Sequence, residues 1–135
     1  MKKLVIIPTY NEKENIGNII SAVFGLKEDF HVLIVDDSSP DGTAEIVKNL
    51  QKIYPHKLHL SIRKVKDGLG QAYIHGFRWA LQNNFDYIFE MDADFSHNPK
   101  DLNRLYEACL KNDMSIGSRY SKGVNVVNWP MGRVL

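Results

Sequence analysis

A single cysteine, Cys109, stands among the 135 residues, so no disulfide can form within the chain, which is compatible with a reducing compartment. Long apolar runs are missing too. The most apolar stretch, Leu4-Val5-Ile6-Ile7, follows two lysines and ends at Pro8, which makes it a strand rather than a secretory leader or a membrane span. The expected location is therefore the cytoplasm, with docking at the cytoplasmic face of a membrane left open. Neither sign of charge is in excess: 17 Lys and Arg against 16 Asp and Glu leave a formal charge of +1. So weak a field does not gather duplex nucleic acid, and no nucleic-acid partner is expected. There is no low-complexity tract, internal repeat or linker, and one domain over residues 1–135 is expected. Glycine is scarce where a dinucleotide-dependent dehydrogenase would need it: the first strand leads into Pro8-Thr9-Tyr10-Asn11 instead of G-x-G-x-x-G. The same segment has neither the aspartates of a receiver or phosphatase-type domain nor the glycine-rich basic loop of a sugar nucleotidyltransferase.

What remains is ordinary globular material, 44% hydrophobic and 24% charged. Strand-length apolar runs occur at Leu4–Ile7, His31–Val35, Leu58–Ile62, Tyr87–Met91 and Met114–Ile116. Between them, apolar residues recur at helical spacing: Ile16, Ile19, Ile20, Val23; Val47, Leu50, Ile53, Tyr54; and Leu69, Ala72, Tyr73, Gly76, Phe77, Ala80, Leu81. A fourth helix, begun at Asn98-Pro99, carries Leu102, Leu105, Tyr106, Cys109 and Leu110, which makes Cys109 a buried thiol. Alternating strands and helices predict an α/β fold, a mainly parallel sheet with helices on both faces. After Ser118 the pattern dissolves into a tail containing Gly, Asn and Pro.

In such sheets ligands collect beyond the carboxyl ends of the strands. The segments at that edge are polar: Pro8-Thr9-Tyr10-Asn11-Glu12, Asp36-Asp37-Ser38-Ser39, Asp92-Ala93-Asp94 and Gly117-Ser118-Arg119-Tyr120. Asp92 and Asp94 are the sharpest of these. Carboxylates at i and i+2 of an extended segment point the same way and can share one hard cation, Mg2+ or Mn2+, whose remaining sites take diphosphate oxygens. An isolated Asp-x-Asp is usually a solvated turn; the apolar strand before this one favours the metal. Asp36-Asp37 sets two like charges side by side, which calls for donors or a ligand, and Asp37 is assigned to the ligand. Asp41 and Thr43 read as turn and cap. Glu12 suits either a site or a cap of the first helix with Asn11 as N-cap. Arg119 gains from its strand-end position; Arg133 has no such support, and His97 reads as a turn histidine. The loop from Arg63 to Gly70 fits phosphate or solvent equally.

These segments together resemble the inverting family 2 glycosyltransferases of GT-A fold, and within them the dolichol-phosphate or polyprenol-phosphate mannose synthases. The broad family is carried by Val5-Ile6-Ile7-Pro8-Thr9-Tyr10-Asn11-Glu12 and by Met91-Asp92-Ala93-Asp94-Phe95-Ser96-His97. The lipid-phosphate subgroup is carried by Ser39-Pro40-Asp41-Gly42-Thr43, by Gly68-Leu69-Gly70 with Ala72, Tyr73 and Gly76, and by Asn128-Trp129-Pro130 with Arg133. The resemblance implies a Rossmann-like three-layer GT-A domain, incomplete at its C-terminus because relatives run on beyond Asn-Trp-Pro. It implies that Pro8, Tyr10, Glu12, Val35 and Asp37 hold the nucleoside, that Asp92 and Asp94 hold metal and diphosphate, that Ala93 lines the sugar-nucleotide pocket, and that Arg119 and Arg133 contact phosphates. Ser96 stands where some relatives place glutamine as an extra metal contact.

The implied reaction moves mannose from GDP-mannose onto a polyprenyl monophosphate with inversion. Alternatives are UDP-glucose or UDP-GlcNAc as donor, and a nucleotide-sugar-binding module without turnover. Donor binding with weak transfer, and self-association through an exposed apolar face, are further expectations from the early stop.

Overall fold

The computed structural model describes residues 2–64, 68–96, 98–112, 118–121 and 124–128. The chain runs β1 (Lys3–Thr9), α1 (Ile16–Phe24), β2 (Phe30–Asp36), α2 (Thr43–Gln51), β3 (Leu58–Ile62), α3 (Leu69–Gln82), β4 (Tyr87–Glu90), α4 (Asp101–Asn112), β5 (Ser118–Ser121) and β6 (Val124–Asn128). Six strands form one sheet in the order β3-β2-β1-β4-β6-β5. The first four named pair in parallel, whereas β6 is antiparallel to both β4 and β5.

Side-chain alternation along β1 sorts the core into two layers. Val5 and Ile7 face the layer that receives Ile16, Ile19, Ile20 and Val23 of α1, Val47 of α2, and Leu102, Tyr106 and Cys109 of α4. Leu4 and Ile6 face the other layer, with Leu33 and Val35 of β2 and with Ala72 and Ala80 of α3. All seven residues of β1 are buried, as befits a parallel strand covered on both sides, and this is why its sequence is nearly unbroken apolar. Lys3 is accommodated there because its ammonium reaches the Tyr106 ring, 4.6 Å from the centroid, and Glu28 at 3.8 Å. Cys109 is buried, as its position on the apolar stripe predicts.

The three-layer α/β expectation holds, with one addition at the C-terminal side. Residues expected as a tail instead supply β5 and β6, a hairpin laid against β4 with Glu90↔Asn125 and Tyr87↔Asn128 in register. Three valines in Val124-Asn125-Val126-Val127-Asn128 supply the β propensity. The edge of β4 supplies the partner, which a reading of local punctuation does not see. The strand expected at Met114–Ile116 lies outside the described residues.

Candidate functional site

The strand register shows where the sheet opens. Beside β4, β1 is paired only from Lys3↔Tyr87 to Ile6↔Glu90, but beside β2 it continues to Thr9↔Asp36. The Met91 N–H donates to the Ile6 carbonyl at 3.0 Å, the last rung on that side. Pro8, the next residue of β1 to face β4, has no N–H with which to extend the ladder. The strands part there, and they are neighbours whose outgoing connections leave in opposite directions, β1 through α1 toward β2 and β4 through α4 toward β5 and β6 on the other side. A crevice at such a topological switch point is where open α/β sheets bind ligands.

A cavity of about 290 Å³ occupies this crevice, near the lower end of the range for small-molecule sites. Its walls come from the ends of three strands and the start of one helix: Pro8 and Thr9 at the end of β1 with Tyr10 and Glu12 after it, Asp37 after β2, Asp92, Ala93 and Asp94 after β4, and Gly68 and Ala72 at the start of α3. The sequence-selected Pro8, Tyr10, Glu12, Asp37, Asp92, Ala93 and Asp94 thus meet around one space. Val35 does not: its side chain is fully buried in the α3-side core. Ser96 is exposed and off the cavity wall, with its backbone N–H donating to Asp94 Oδ1 at 3.0 Å. Arg119 lies in β5 rather than in a loop after a strand, in register with Val126, which is itself opposite Phe89. Arg133 and His97 lie outside the described residues.

The two adjacent aspartates divide their duties by strand alternation. Asp36 turns inward and is fully buried. It accepts from Thr9 Oγ1 at 2.7 Å, from Ser39 Oγ at 2.7 Å and from the Ser39 N–H at 2.9 Å, tying the ends of β1 and β2 together. Asp37 lines the cavity and faces Arg63, whose Nε lies 3.4 Å from Oδ1 with both side chains nearly buried. The guanidinium thus sets off part of the cost of holding Asp37 beside Asp36. In the sequence Arg63 reads as part of a basic loop that fits phosphate or solvent equally, because nothing local links it to Asp37.

The loop after β1 is hooked to the turn after β2. The N–H groups of Asn11, Glu12 and Lys13 donate in turn to Ser39 Oγ at 2.8 Å, Thr43 Oγ1 at 3.1 Å and Asp41 Oδ2 at 3.1 Å. One capping expectation is corrected here. Asn15, not Asn11, is the N-cap of α1, and Gly42 is that of α2, neither with a side-chain cap bond. Asp41 still closes the turn into α2, its Oδ1 accepting from the Thr43 N–H at 3.0 Å, and Asp41 and Thr43 also serve as acceptors for the neighbouring loop. Asn11, Ser38 and Phe95 all have positive φ, at 55°, 53° and 60°. Each follows a strand at this rim, and left-handed non-glycine residues are costly enough to concentrate at functional sites.

On the opposite wall Asp92 accepts a hydrogen bond from the Tyr73 hydroxyl of α3 at 2.8 Å. Burial, and then the charge of Asp92, push the Tyr73 ionisation far up, so the phenol stays a donor. In the sequence Tyr73 reads as an apolar-face helix position and as part of the motif begun by Gly68-Leu69-Gly70, with no role of its own. No group of three or more His, Cys, Asp or Glu that could hold an ion occurs among the described residues. A cation here would have two carboxylates from the protein, with water or ligand oxygens completing its shell. That donor set fits Mg2+ or Mn2+, hard ions that keep several open or hydrated positions, and does not form an all-protein cage.

Residues 4–134 match the family model described as Glycosyl transferase family 2. Among curated relatives, the chain is 45% identical over 135 residues to a polyprenol monophosphomannose synthase of Mycolicibacterium smegmatis, covering 99% of this chain and 51% of the relative. It is 46% identical over 133 residues to an undecaprenyl-phosphate mannosyltransferase of Micrococcus luteus, covering 98% and 54%. The chain thus spans about half the length of these relatives. Among solved structures, a mannosyltransferase from Pyrobaculum calidifontis in complex with GDP-Man and Mn2+ superposes with a TM-score of 0.78 at 19% identity, over 94% of this chain and 44% of that one. At that identity the likeness speaks for the fold.

Proposed function

The chain belongs to glycosyl transferase family 2, and from that premise we propose that its cavity binds GDP-mannose with a divalent cation and that the mannose passes to a polyprenyl monophosphate. The observation that carries this reading is the convergence of Asp92 and Asp94 with Pro8, Tyr10, Glu12 and Asp37 on one crevice. The sugar and the lipid phosphate are those for which the two relatives are named. The nucleotide and the metal are those bound to the Pyrobaculum mannosyltransferase.

In this reading the β1 and β2 side holds the nucleoside. Tyr10 and Pro8 give it apolar surface, and the Asp37 carboxylate accepts from base or ribose. Asp92 and Asp94 hold the cation, which when bound offsets the charge growing on the diphosphate as its bond to the sugar breaks. Arg119 and Arg133 are proposed phosphate contacts. An oxygen of the acceptor phosphate attacks the anomeric carbon from the face opposite the diphosphate. The new C–O bond forms as the old one breaks, GDP departs with the electron pair, and the configuration inverts. Because that oxygen is already anionic at neutral pH, no side chain has to remove a proton. The protein's contribution is alignment and charge. Docking at the cytoplasmic face of a membrane belongs to the proposal because the acceptor is a lipid; among the described residues no helix is long and apolar enough to cross a membrane.

Calorimetric titration tests the donor side. GDP-mannose is expected to bind in Mn2+ or Mg2+, and at least tenfold more weakly, about 1.4 kcal/mol, with chelator present or in Asp94→Ala. Parallel titrations with UDP-glucose and UDP-GlcNAc are expected to be weaker. Affinity indifferent to chelator removes the metal role, and preference for a UDP-sugar replaces the donor.

A further inference from the structure

We propose that Tyr73 is the positioning residue of this site, the side chain that fixes the direction in which Asp92 presents its carboxylate to the cation. The inference rests on the reading that Asp92 and Asp94 hold the metal, and goes beyond it by assigning a role to a helix that supplies neither carboxylate. Asp92 follows a strand and stands in a short irregular segment, where an unrestrained aspartate samples several rotamers. The Tyr73 hydroxyl, 2.8 Å from Oδ1, selects one of them. A phenol is suited to that task because its ring is rigid and its proton is donated without adding charge. A lysine or arginine at the same place would instead set a second positive charge beside the cation.

The hydroxyl is itself held at a fixed height above the sheet. Tyr73 packs on the core layer made by Leu4, Ile6, Leu33 and Val35. Three residues along α3, Gly76 lies so close to β1 that an added Cβ would stand 2.7 Å from Ile6 Cγ2. The preceding residue, Ala72, is buried and lines the cavity. The helix backbone thus touches both the strand that starts the crevice and the cavity wall, and Tyr73 transmits that placement to Asp92. Outer-shell hydrogen bonds of this kind commonly govern metal affinity by about tenfold to a hundredfold.

A bland role is also open to any buried phenol, which needs an acceptor wherever it lies, so the test separates metal affinity from general integrity. Tyr73→Phe keeps the ring and removes the donor. Mn2+ binding would be followed by the electron paramagnetic resonance of free Mn2+, in the presence of GDP, for the wild-type chain, Tyr73→Phe and Asp92→Asn. GDP affinity in chelator and the melting temperature would be measured alongside. The expected result is about a tenfold loss of Mn2+ affinity in Tyr73→Phe, with metal-free GDP affinity within about twofold of wild type and a folded melting profile. Tyr73→Met, which fills the same layer without a hydroxyl, is expected to give the same split and serves if the phenylalanine variant is unstable. In the Asp92→Asn background, Tyr73→Phe is expected to add nothing.

Wild-type Mn2+ affinity in Tyr73→Phe, alongside a clear loss in Asp92→Asn, overturns the positioning role and leaves the metal reading standing. Equal losses with and without metal reduce Tyr73 to a structural contact and overturn it as well. Absence of any Asp92-dependent Mn2+ binding in the wild-type chain overturns both.

Discussion

Asp36 and Asp37 are the same residue twice in the sequence, yet the structure gives them different work. A strand ending at Asp36 turns that side chain into the sheet edge, where Thr9 and Ser39 saturate it, and leaves Asp37 to the cavity. Asp36→Ala would leave three donors without their acceptor. The variant is expected to lose about 2 kcal/mol of stability, read as a lowered urea midpoint at unchanged slope. While Pro8, Tyr10, Glu12 and Ala93 take their roles from the family resemblance, Asp37, Asp92 and Asp94 are legible because each follows an apolar strand that announces its own carboxyl end. Tyr73 and Arg63 are not. One sits on a helix among apolar neighbours, the other in a turn rich in charge, and the partner of each is reached only through the fold. Val35 shows the converse: adjacency to a site motif does not bring a side chain out of the core.

Helix α3 and the β2–β3 pair carry the tests that belong to whole elements. Alanine is ordinarily the better helix former by about 1 kcal/mol. At Gly76 its methyl would meet Ile6 at 2.7 Å, so Gly76→Ala is expected to destabilise by about 1–3 kcal/mol despite that preference, checked by the same denaturation measurement. On the neighbouring strands His31 and His59 stack with an interplanar angle of 3° and a ring-nitrogen separation of 3.2 Å. Burial, then the charge of Lys57, brings His31 down from 6.5 to about 4, and burial lowers His59 as well. Between those values the unfolded chain takes up a proton that the folded chain refuses. Stability from the pair is therefore full above pH 6.5 and is lost as pH falls toward 4. Melting temperature should fall across that interval, and His31→Phe should flatten part of the fall; an unchanged slope would contradict the assignment.

Among the elements, β1 through β4 agree with their sequence-based spans to within two residues, since apolar run and strand coincide when both faces are covered. The β5–β6 hairpin escapes such a reading because its strands depend on β4 for a partner, and its asparagines read as punctuation.

At the scale of the molecule, the sheet order explains why so much chemistry converges. The connection leaving β1 runs to β2 and the one leaving β4 runs to the opposite side of the sheet, and the end of the β1–β4 ladder at Ile6 and Glu90 opens a gap between them. The alternation of strands and helices makes the layered architecture readable. The order of the strands, and so the position of the crevice, is not readable, because it is set by which edges pair and not by any local pattern.

The central claim is that Asp92 and Asp94 jointly hold a cation beside a nucleoside diphosphate. Manganese-edge anomalous scattering from crystals grown with GDP and Mn2+ tests it most directly. The account predicts one strong peak at coordination distance, about 2 Å, from both carboxylates with the diphosphate completing the shell. A peak elsewhere, or GDP bound in the crevice with Asp92 and Asp94 turned away from the metal, would contradict it.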